Sequence, residues 1–311
     1  MRTEFTILRQ TKNKMETLLL TGKAVSNAIR TGLQPRIEAL REGGIVPQLA
    51  AILVGDDPAS KVYVRNKARA FEKLSCNSQA FTLDADSSEV DVLALIDRLN
   101  GDDEIHGILV QLPLPSHLDS KKILHNVSPD KDVDGFHPRN LGLLLEGNPS
   151  FIPCTPHGVL EILKFYNIPV SGQHAVIVGR SNIVGKPMFA LLAQKFEMGN
   201  ATVTICHTGT KDLSAHTKRA DILIVAAGSP KMITGEMVRE GVDIVDVGIN
   251  RVDDDSEKGY KLVGDVDTDS VMGIAHSVTP VPGGVGPMTI TMLLSNTVFS
   301  AEKCRKLETT A

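Results

Sequence analysis

Val176-Ile177-Val178-Gly179-Arg180-Ser181-Asn182-Ile183-Val184-Gly185-Lys186-Pro187-Met188 is the stretch whose reading decides the fold. An apolar, β-branched run ends at Gly179. A second glycine, Gly185, opens a segment in which Val184, Met188, Leu191 and Leu192 recur at helical spacing. The pattern predicts a strand, a tight turn and a helix. The N-terminus of such a helix gathers unpaired N–H groups and the positive end of the macrodipole, which makes it a seat for a phosphate. Taken alone, Gly179-x-Ser181-x-x-x-Gly185 departs from the strict G-x-G-x-x-G, and a plain strand-to-helix turn reads equally well.

The surroundings favour the nucleotide. Strands are expected at 175–178, 202–206, 222–226 and 244–247, alternating with helical patterns, as in a Rossmann-like mononucleotide-binding sheet. Upstream, Ala24, Ile29, Leu33, Ile37 and Leu40 share one face of a helix expected over 18–40, with Thr31-Gly32 as an irregularity. A buried strand over 49–54 ends at Gly55-Asp56-Asp57-Pro58, and Ser60 reads as the N-cap of the next helix. A strand at 79–83, a helix at 88–99 and a strand at 107–111 continue the alternation, which implies a parallel sheet covered by helices. Residues 130–156, rich in Pro, Gly, Asn and Asp, read as loop and linker. Residues 250–265 read as a hairpin with a solvated tip, and a last helix, 288–298, is expected to return to the first domain. The fold class is therefore α/β in two domains, a three-layer N-terminal one and a Rossmann-like C-terminal one; a cleft between them is what the resemblance set out below implies. The boundaries are 1–155, completed by 288–311, and 156–287.

Composition narrows the function. A chain of 311 residues suits two domains, and a net charge of -4 with 23% charged residues leaves no basic patch for nucleic acid. The apolar runs are too short to span a bilayer, so no membrane association is expected. Cys76, Cys154, Cys206 and Cys304 lie far apart with no C-x-x-C pair, which favours free thiols in a reducing, cytoplasmic setting and argues against zinc. The first fourteen residues lack the apolar core of a secretory signal and read as a frayed tail, with a mitochondrial address as the alternative. The nine histidines show no metal spacing, and no metal is expected.

The strand over 202–206 ends at Cys206-His207-Thr208-Gly209-Thr210-Lys211 with no carboxylate to take a ribose 2′-hydroxyl. Arg180, Thr208 and, further out, His207 or Lys211 would instead suit a 2′-phosphate, so NADP is expected over NAD. Tyr63 and Lys67 sit four apart on one helix face. Alone, such a pair is usually a solvated surface. Gln111, however, stands at the C-terminal end of a strand, where parallel sheets place ligands, and Leu112-Pro113-Leu114-Pro115 stiffens the backbone beyond it. Of the alternating Asp130, Asp132 and Asp134, the last, beside Gly135, is the ligand-binding candidate, and the other two read as turn caps. Leu141 stands where a calcium loop starting at Asp130 needs glutamate. The stiff, backbone-exposing loop Thr279-Pro280-Val281-Pro282-Gly283-Gly284-Val285-Gly286-Pro287 joins the domains, as a hinge or as a contact for a flat ligand.

Together these stretches make the chain resemble the bifunctional methylenetetrahydrofolate dehydrogenase/methenyltetrahydrofolate cyclohydrolase family. The matches are Tyr63-Val64-x-x-Lys67, Val110 to Pro115, Lys131-Asp132-Val133-Asp134-Gly135, Pro153-Cys154-Thr155-Pro156, Gly179-Arg180-Ser181 with Val184-Gly185 and Pro187, Gly264-Asp265-Val266, and 279–289. The resemblance implies folate held by the first domain, NADP held by the second, and a homodimer built through the second. It implies that Lys67 is the acid/base of the cyclohydrolase step, with Gln111 its hydrogen-bonding partner, Tyr63 the folate platform and Asp134 the pterin anchor. Val110, Leu112, Pro282, Gly283, Gly284, Val285 and Gly286 would line the folate site. Gly179, Arg180, Ser181, Thr208 and Ile249 would meet the cofactor. The chain departs from the family at Leu74-Ser75-Cys76, where Gly-Ile usually ends the helix, and at Thr268, where an aromatic or apolar residue is usual.

The implied chemistry has a dehydrogenase step, needing chiefly alignment of two bound molecules, and a hydrolytic step, needing a mobile proton. A lysine, with an ordinary pKa of about 10.4, serves there only if its surroundings favour the neutral amine. Two other readings fit the fold: an NADP-linked dehydrogenase of a small polar carbonyl, and a non-catalytic NADP-binding sensor.

Overall fold

The computed structural model describes residues 16–256 and 259–310, with side chains to 305. The expected N-terminal tail lies outside them. The first half runs β1 (Leu18–Leu19), α1 (Gly22–Glu42), β2 (Gln48–Val54), α2 (Pro58–Glu72), β3 (Asn77–Leu83), α3 (Glu89–Asn100), β4 (Gly107–Val110), α4 (Ser120–Asn126), α5 (Pro138–Glu146) and α6 (Cys154–Phe165). The second half runs β5 (His174–Val178), α7 (Gly185–Ala193), β6 (Thr202–Cys206), α8 (Leu213–Thr217), β7 (Ile222–Val225), β8 (Asp243–Asp246), β9 (Asn250–Asp253), β10 (Tyr260–Val263), α9 (Thr268–Val271), β11 (Ser277–Val278) and α10 (Val285–Thr310).

Three parallel strands, β3-β2-β4, form the first sheet, and six parallel strands, β1-β11-β8-β7-β5-β6, form the second. Leu49 through Val54 are all buried because helices cover both faces, which is why β2 reads as one apolar run rather than an alternating one. β9 and β10 make the expected antiparallel hairpin. A core containing Leu33, Phe71, Phe151, Ile177, Met288 and Leu294 runs without a break from the first sheet to the second, with α1, α6 and α10 between them. Ser26 Oγ lies 2.7 Å from Thr291 Oγ1, and Arg36 donates twice to Glu302, fixing α10 against α1. No helix among the described residues is long and apolar enough to cross a membrane.

Several boundaries differ from the sequence reading, each for a visible reason. The helix expected from Leu18 starts at Gly22, because Leu18 and Leu19 extend to pair with β11 at the edge of the second sheet. Thr31-Gly32 causes no break in it. Asp57, not Ser60, caps α2: its Oδ2 accepts the Ser60 N–H at 2.7 Å, with Pro58 at the first helical turn. The linker expected over 130–156 contains α5, begun by Pro138 and closed by Gly147 at φ 96, and already includes the start of α6. The last helix starts at Val285 rather than Met288. At the family departure after α2, Ser75 itself takes the left-handed conformation, φ 57, and Cys76 is buried in the core. Thr268 opens α9.

Candidate functional site

α2 and the end of β4 bring the chemistry-bearing side chains together. Lys67 is only 8% exposed, and its Nζ donates to Gln111 Oε1 at 3.0 Å. Gln111, one residue beyond β4, donates from Nε2 to the Leu112 carbonyl at 2.7 Å, so both ends of the amide are assigned and its oxygen faces the lysine. These two residues line a cavity of about 380 Å³ together with Tyr63, Val110, Leu112 and Asp134. Val285, Gly286 and Ile249 close it from the second domain's side, as do Ile183 and Val184 of the β5–α7 turn. Residues from the first and second sheets therefore face each other across one space.

Asp134 enters this space from the loop before α5. Burial raises its carboxyl from the ordinary carboxylate value, while the Lys67 charge and a hydrogen bond from Cys154 oppose the rise. Cys154, whose Sγ also lies 3.4 Å from the Val133 carbonyl, is pushed well above the ordinary thiol range by burial and by Asp134. It is a hydrogen-bonding thiol here, not a nucleophilic thiolate. Asp132 turns away and accepts from Phe136 N, His137 N and Asn140 Nδ2, which orders the turn into α5; burial pushes its pKa up to about 6. Asp130 meets Lys303 and Arg139 at the surface. The turn-cap reading holds for Asp132 but not for Asp130, whose carboxylate makes surface ion pairs instead, and Asp134 faces the cavity.

A second cavity of about 600 Å³ adjoins the first. Tyr63, Val247, Ile249, Val285, Gly286 and Ile290 line both. Pro282, Gly283 and Gly284 line only the second, so the expected folate-site residues fall into two groups on either side of Tyr63.

The expected cofactor residues gather at the C-terminal edge of the second sheet. Gly179, at φ 126, turns the chain so tightly that a Cβ would lie 2.2 Å from the Ala226 carbonyl oxygen, and a Cβ on Gly185 would lie 2.1 Å from the Gly179 oxygen. Packing of the strand-to-helix turn thus requires both glycines whether or not a nucleotide binds there. The turn also satisfies itself: Val184 N–H donates to Ser181 Oγ, Lys186 N–H to the Ser181 carbonyl, and Pro187 has no N–H. The helix terminus is therefore a poorer phosphate seat than the motif suggests. Arg180, Ser181 and Thr208 are exposed and lie outside both cavities, on the open surface beyond Ile183. The first carboxylate after β6, Asp212, accepts the Ala215 N–H at the start of α8. An exposed arginine without an acid at the strand end fits a 2′-phosphate, so these residues suit NADP.

Four residues of the site escape a reading of the sequence. Ser60, 3% exposed and lining the smaller cavity, looks like a cap, although it stands three and seven residues before Tyr63 and Lys67 on the same face. Cys154 gives no signal beyond its motif. Asp265 accepts from Ala227, Gly228 and Ser229 N–H and from Asn250 Nδ2, and so fixes the loop after β7. Asp246 accepts from Gly248, Asp265 and Val266 N–H, and burial pushes its pKa up to about 6. Buried carboxylates serving backbone donors have no local sequence signature. Among the described residues no cluster of His, Cys, Asp or Glu could hold a metal ion.

Two family models match the chain: the catalytic domain of tetrahydrofolate dehydrogenase/cyclohydrolase over residues 20–134, and its NAD(P)-binding domain over residues 153–305. The chain is 52% identical to the bifunctional protein FolD of Chlorobium chlorochromatii, covering 93% of this chain and 100% of that one. It is 53% identical to the FolD of Bordetella avium, covering 93% and 99%. Among solved structures, a bifunctional FolD from Campylobacter jejuni superposes with a TM-score of 0.87 at 51% identity, covering 92% of this chain and 99% of that one. A Trypanosoma brucei methylenetetrahydrofolate dehydrogenase-cyclohydrolase complexed with NADP and an inhibitor gives 0.87 at 37% identity, covering 93% and 98%.

Proposed function

The chain belongs to the tetrahydrofolate dehydrogenase/cyclohydrolase family, and from that premise we propose which of its residues carry the two steps. The protein oxidises 5,10-methylenetetrahydrofolate with NADP and hydrolyses the 5,10-methenyl product to 10-formyltetrahydrofolate. NADP supplies the hydride acceptor. Residues 1–155 with 288–311 hold the folate, and 156–287 hold the nucleotide.

The single observation that carries the residue assignment is the 3.0 Å bond from Lys67 to Gln111 on the wall of the smaller cavity. In the oxidative step the protein mainly aligns and dries the reactants, and the apolar side chains of Ile183, Val184 and Ile249 exclude water opposite Tyr63. In the hydrolytic step Lys67 Nζ moves the proton as water adds and the ring opens. Gln111 aims the amine without adding charge. Asp134 takes the amino and amide edge of the pterin, for which a half-buried carboxylate beside Cys154 is suited. Arg180, Ser181 and Thr208 hold the adenosine 2′-phosphate, and Gly179 keeps the β5–α7 turn low enough to admit the dinucleotide.

Lys67→Met removes the mobile proton and keeps the stem. Cyclohydrolase turnover is expected to fall about 10²–10⁴-fold, with dehydrogenase turnover falling far less. Intact hydrolysis in the variant overturns the assignment. Calorimetric NADP binding by the wild type without turnover of either folate would return the sensor reading.

The homodimer belongs to the same reading. β6 is an open edge of the second sheet, and its Val203 and Ile205 are only partly covered, so that edge is the self-association surface. A monomer in sedimentation at micromolar concentration would remove it. Four thiols with no disulfide among them fit the cytoplasm.

A further inference from the structure

Two hydroxyl pairs tie α10 to its neighbours, and they differ in what they leave free. Ser26 Oγ and Thr291 Oγ1 lie 2.7 Å apart in the core, and Thr291 also accepts from Arg30 Nε and donates to the Pro287 carbonyl, so Thr291 is saturated. Thr155 Oγ1 of α6 and Thr289 Oγ1 of α10 lie 3.0 Å apart on the wall of the smaller cavity. Among the described residues neither of these two oxygens has another protein partner. Thr291 and Thr297 of the same helix each donate to the carbonyl one turn back, whereas Thr289 meets Thr155 instead. Two hydroxyls carry two hydrogens and four lone pairs, and the bond between them uses one of each. One O–H and three lone pairs are left for whatever enters the cavity.

The proposed function, on which this inference rests, supplies the need for such a seat. Hydrolysis of the methenyl carbon requires a water held beside Lys67, and a water in a protein cavity needs about two to four polar partners. The other polar groups on the wall are committed. Lys67 donates to Gln111, Gln111 donates to the Leu112 carbonyl, and Asp134 serves the pterin. Ser60 gives both its N–H and its hydroxyl to the Asp57 carboxylate. Tyr63, 42% exposed, stands where the two cavities join, and Ile183, Val184 and Ile249 are apolar. We propose that the Thr155–Thr289 pair seats the water that attacks the methenyl carbon. The water accepts the spare O–H and donates one hydrogen to a spare lone pair, which leaves its second lone pair for the carbon and its second hydrogen for Lys67 Nζ. As the oxygen bonds to carbon, the carbon–nitrogen π pair returns to nitrogen and that hydrogen passes to Nζ. Ring opening breaks the carbon–N5 bond. Its electron pair stays on N5, which takes the proton back from Nζ, and the new hydroxyl loses its hydrogen to solvent as the formyl carbonyl forms. The hydride step uses no water and does not need the pair.

The test separates the two steps. Thr155→Val, Thr289→Val and their double variant remove hydroxyls while keeping the side-chain shape, and Thr155→Ser and Thr289→Ser keep the hydroxyl. Ser26→Ala opens the other pair, outside both cavities. Each is assayed for NADPH formation from methylenetetrahydrofolate, for hydrolysis of methenyltetrahydrofolate supplied directly, and for the fraction of methenyl product released unhydrolysed in the coupled reaction. In each valine variant kcat for hydrolysis is expected to fall about 10- to 100-fold with KM within about twofold, while kcat for oxidation falls less than about threefold. The released methenyl fraction should rise accordingly. Because the two hydroxyls make one seat, the double variant should lie within about threefold of the single ones. The serine variants and Ser26→Ala should stay within about threefold of wild type in both steps. Retained oxidation shows that a variant is folded; where one valine variant folds poorly, the other reads the same seat. Unchanged hydrolysis in the valine variants, or an equal loss in both steps, overturns the water seat and leaves the proposed function standing. So does a KM that rises alike in both steps, which would make the pair a contact of the pterin carbonyl. A wild type that turns over neither folate would instead strike the proposed function itself.

Discussion

Lys67 lines the cleft as a long side chain, 8% exposed and held by Gln111, whereas Gly179 and Gly185, which line neither cavity, shape the β5–α7 turn from which Ile183 and Val184 face it. The first wall works by what its side chains can donate and accept. The second works by what is missing: two absent Cβ atoms let the turn lie against the Ala226 carbonyl and clear the sheet edge. After α2, by contrast, a non-glycine, Ser75, itself takes φ 57. At the β5–α7 turn a Cβ on either glycine would strike backbone.

Substitutions can break this contrast in graded ways. Gly179→Ala should have the largest effect. It forces a φ of 126 and a 2.2 Å approach to backbone on a side chain, so destabilisation of about 3 kcal/mol is expected in urea titration, with loss of NADP binding. A neutral outcome would mean the turn is free to open. Arg180→Ala should leave stability unchanged and raise KM for NADP about 10- to 100-fold, with KM for NAD hardly moved. A wild-type preference for NAD would remove the reading of this wall.

A smaller effect concerns α6, which lies between the walls. Burial depresses the His157 pKa from 6.5 to about 4, and its Nδ1 is buried without a hydrogen-bond partner. Between those values the unfolded chain binds a proton that the folded chain refuses, so this residue makes stability fall as pH drops from 6.5 toward 4. Asp132 and Asp246, each raised from 3.8 to about 6, act in the opposite sense over that range, because the folded chain protonates first. His157→Gln should therefore relieve about 1–2 kcal/mol of the loss between pH 7 and 4.5 in pH-dependent denaturation. Parallel curves for variant and wild type would show that His157 does not titrate in this range.

The alternation of β-branched runs with helical spacing sufficed for the two parallel sheets, because strands buried on both faces need continuous apolar sequence and crossover helices need one apolar stripe. Gln111 was legible from its place at a strand end, but Tyr63 and Lys67, inside α2, and Asp134, in a loop, stood out only through the family motifs, and the structure brings all four onto one cavity. What only the tertiary structure decided was everything set by partners distant in the chain. Leu18 and Leu19 became strand because β11 offered an edge, Asp265 and Asp246 became loop organisers because backbone N–H groups converged on them, and Arg30 came to face Arg69 and Lys73. Periodicity is a local property and is written in the residues themselves. Burial, pairing and the sign of a cavity's charge are sums over atoms that folding alone brings together.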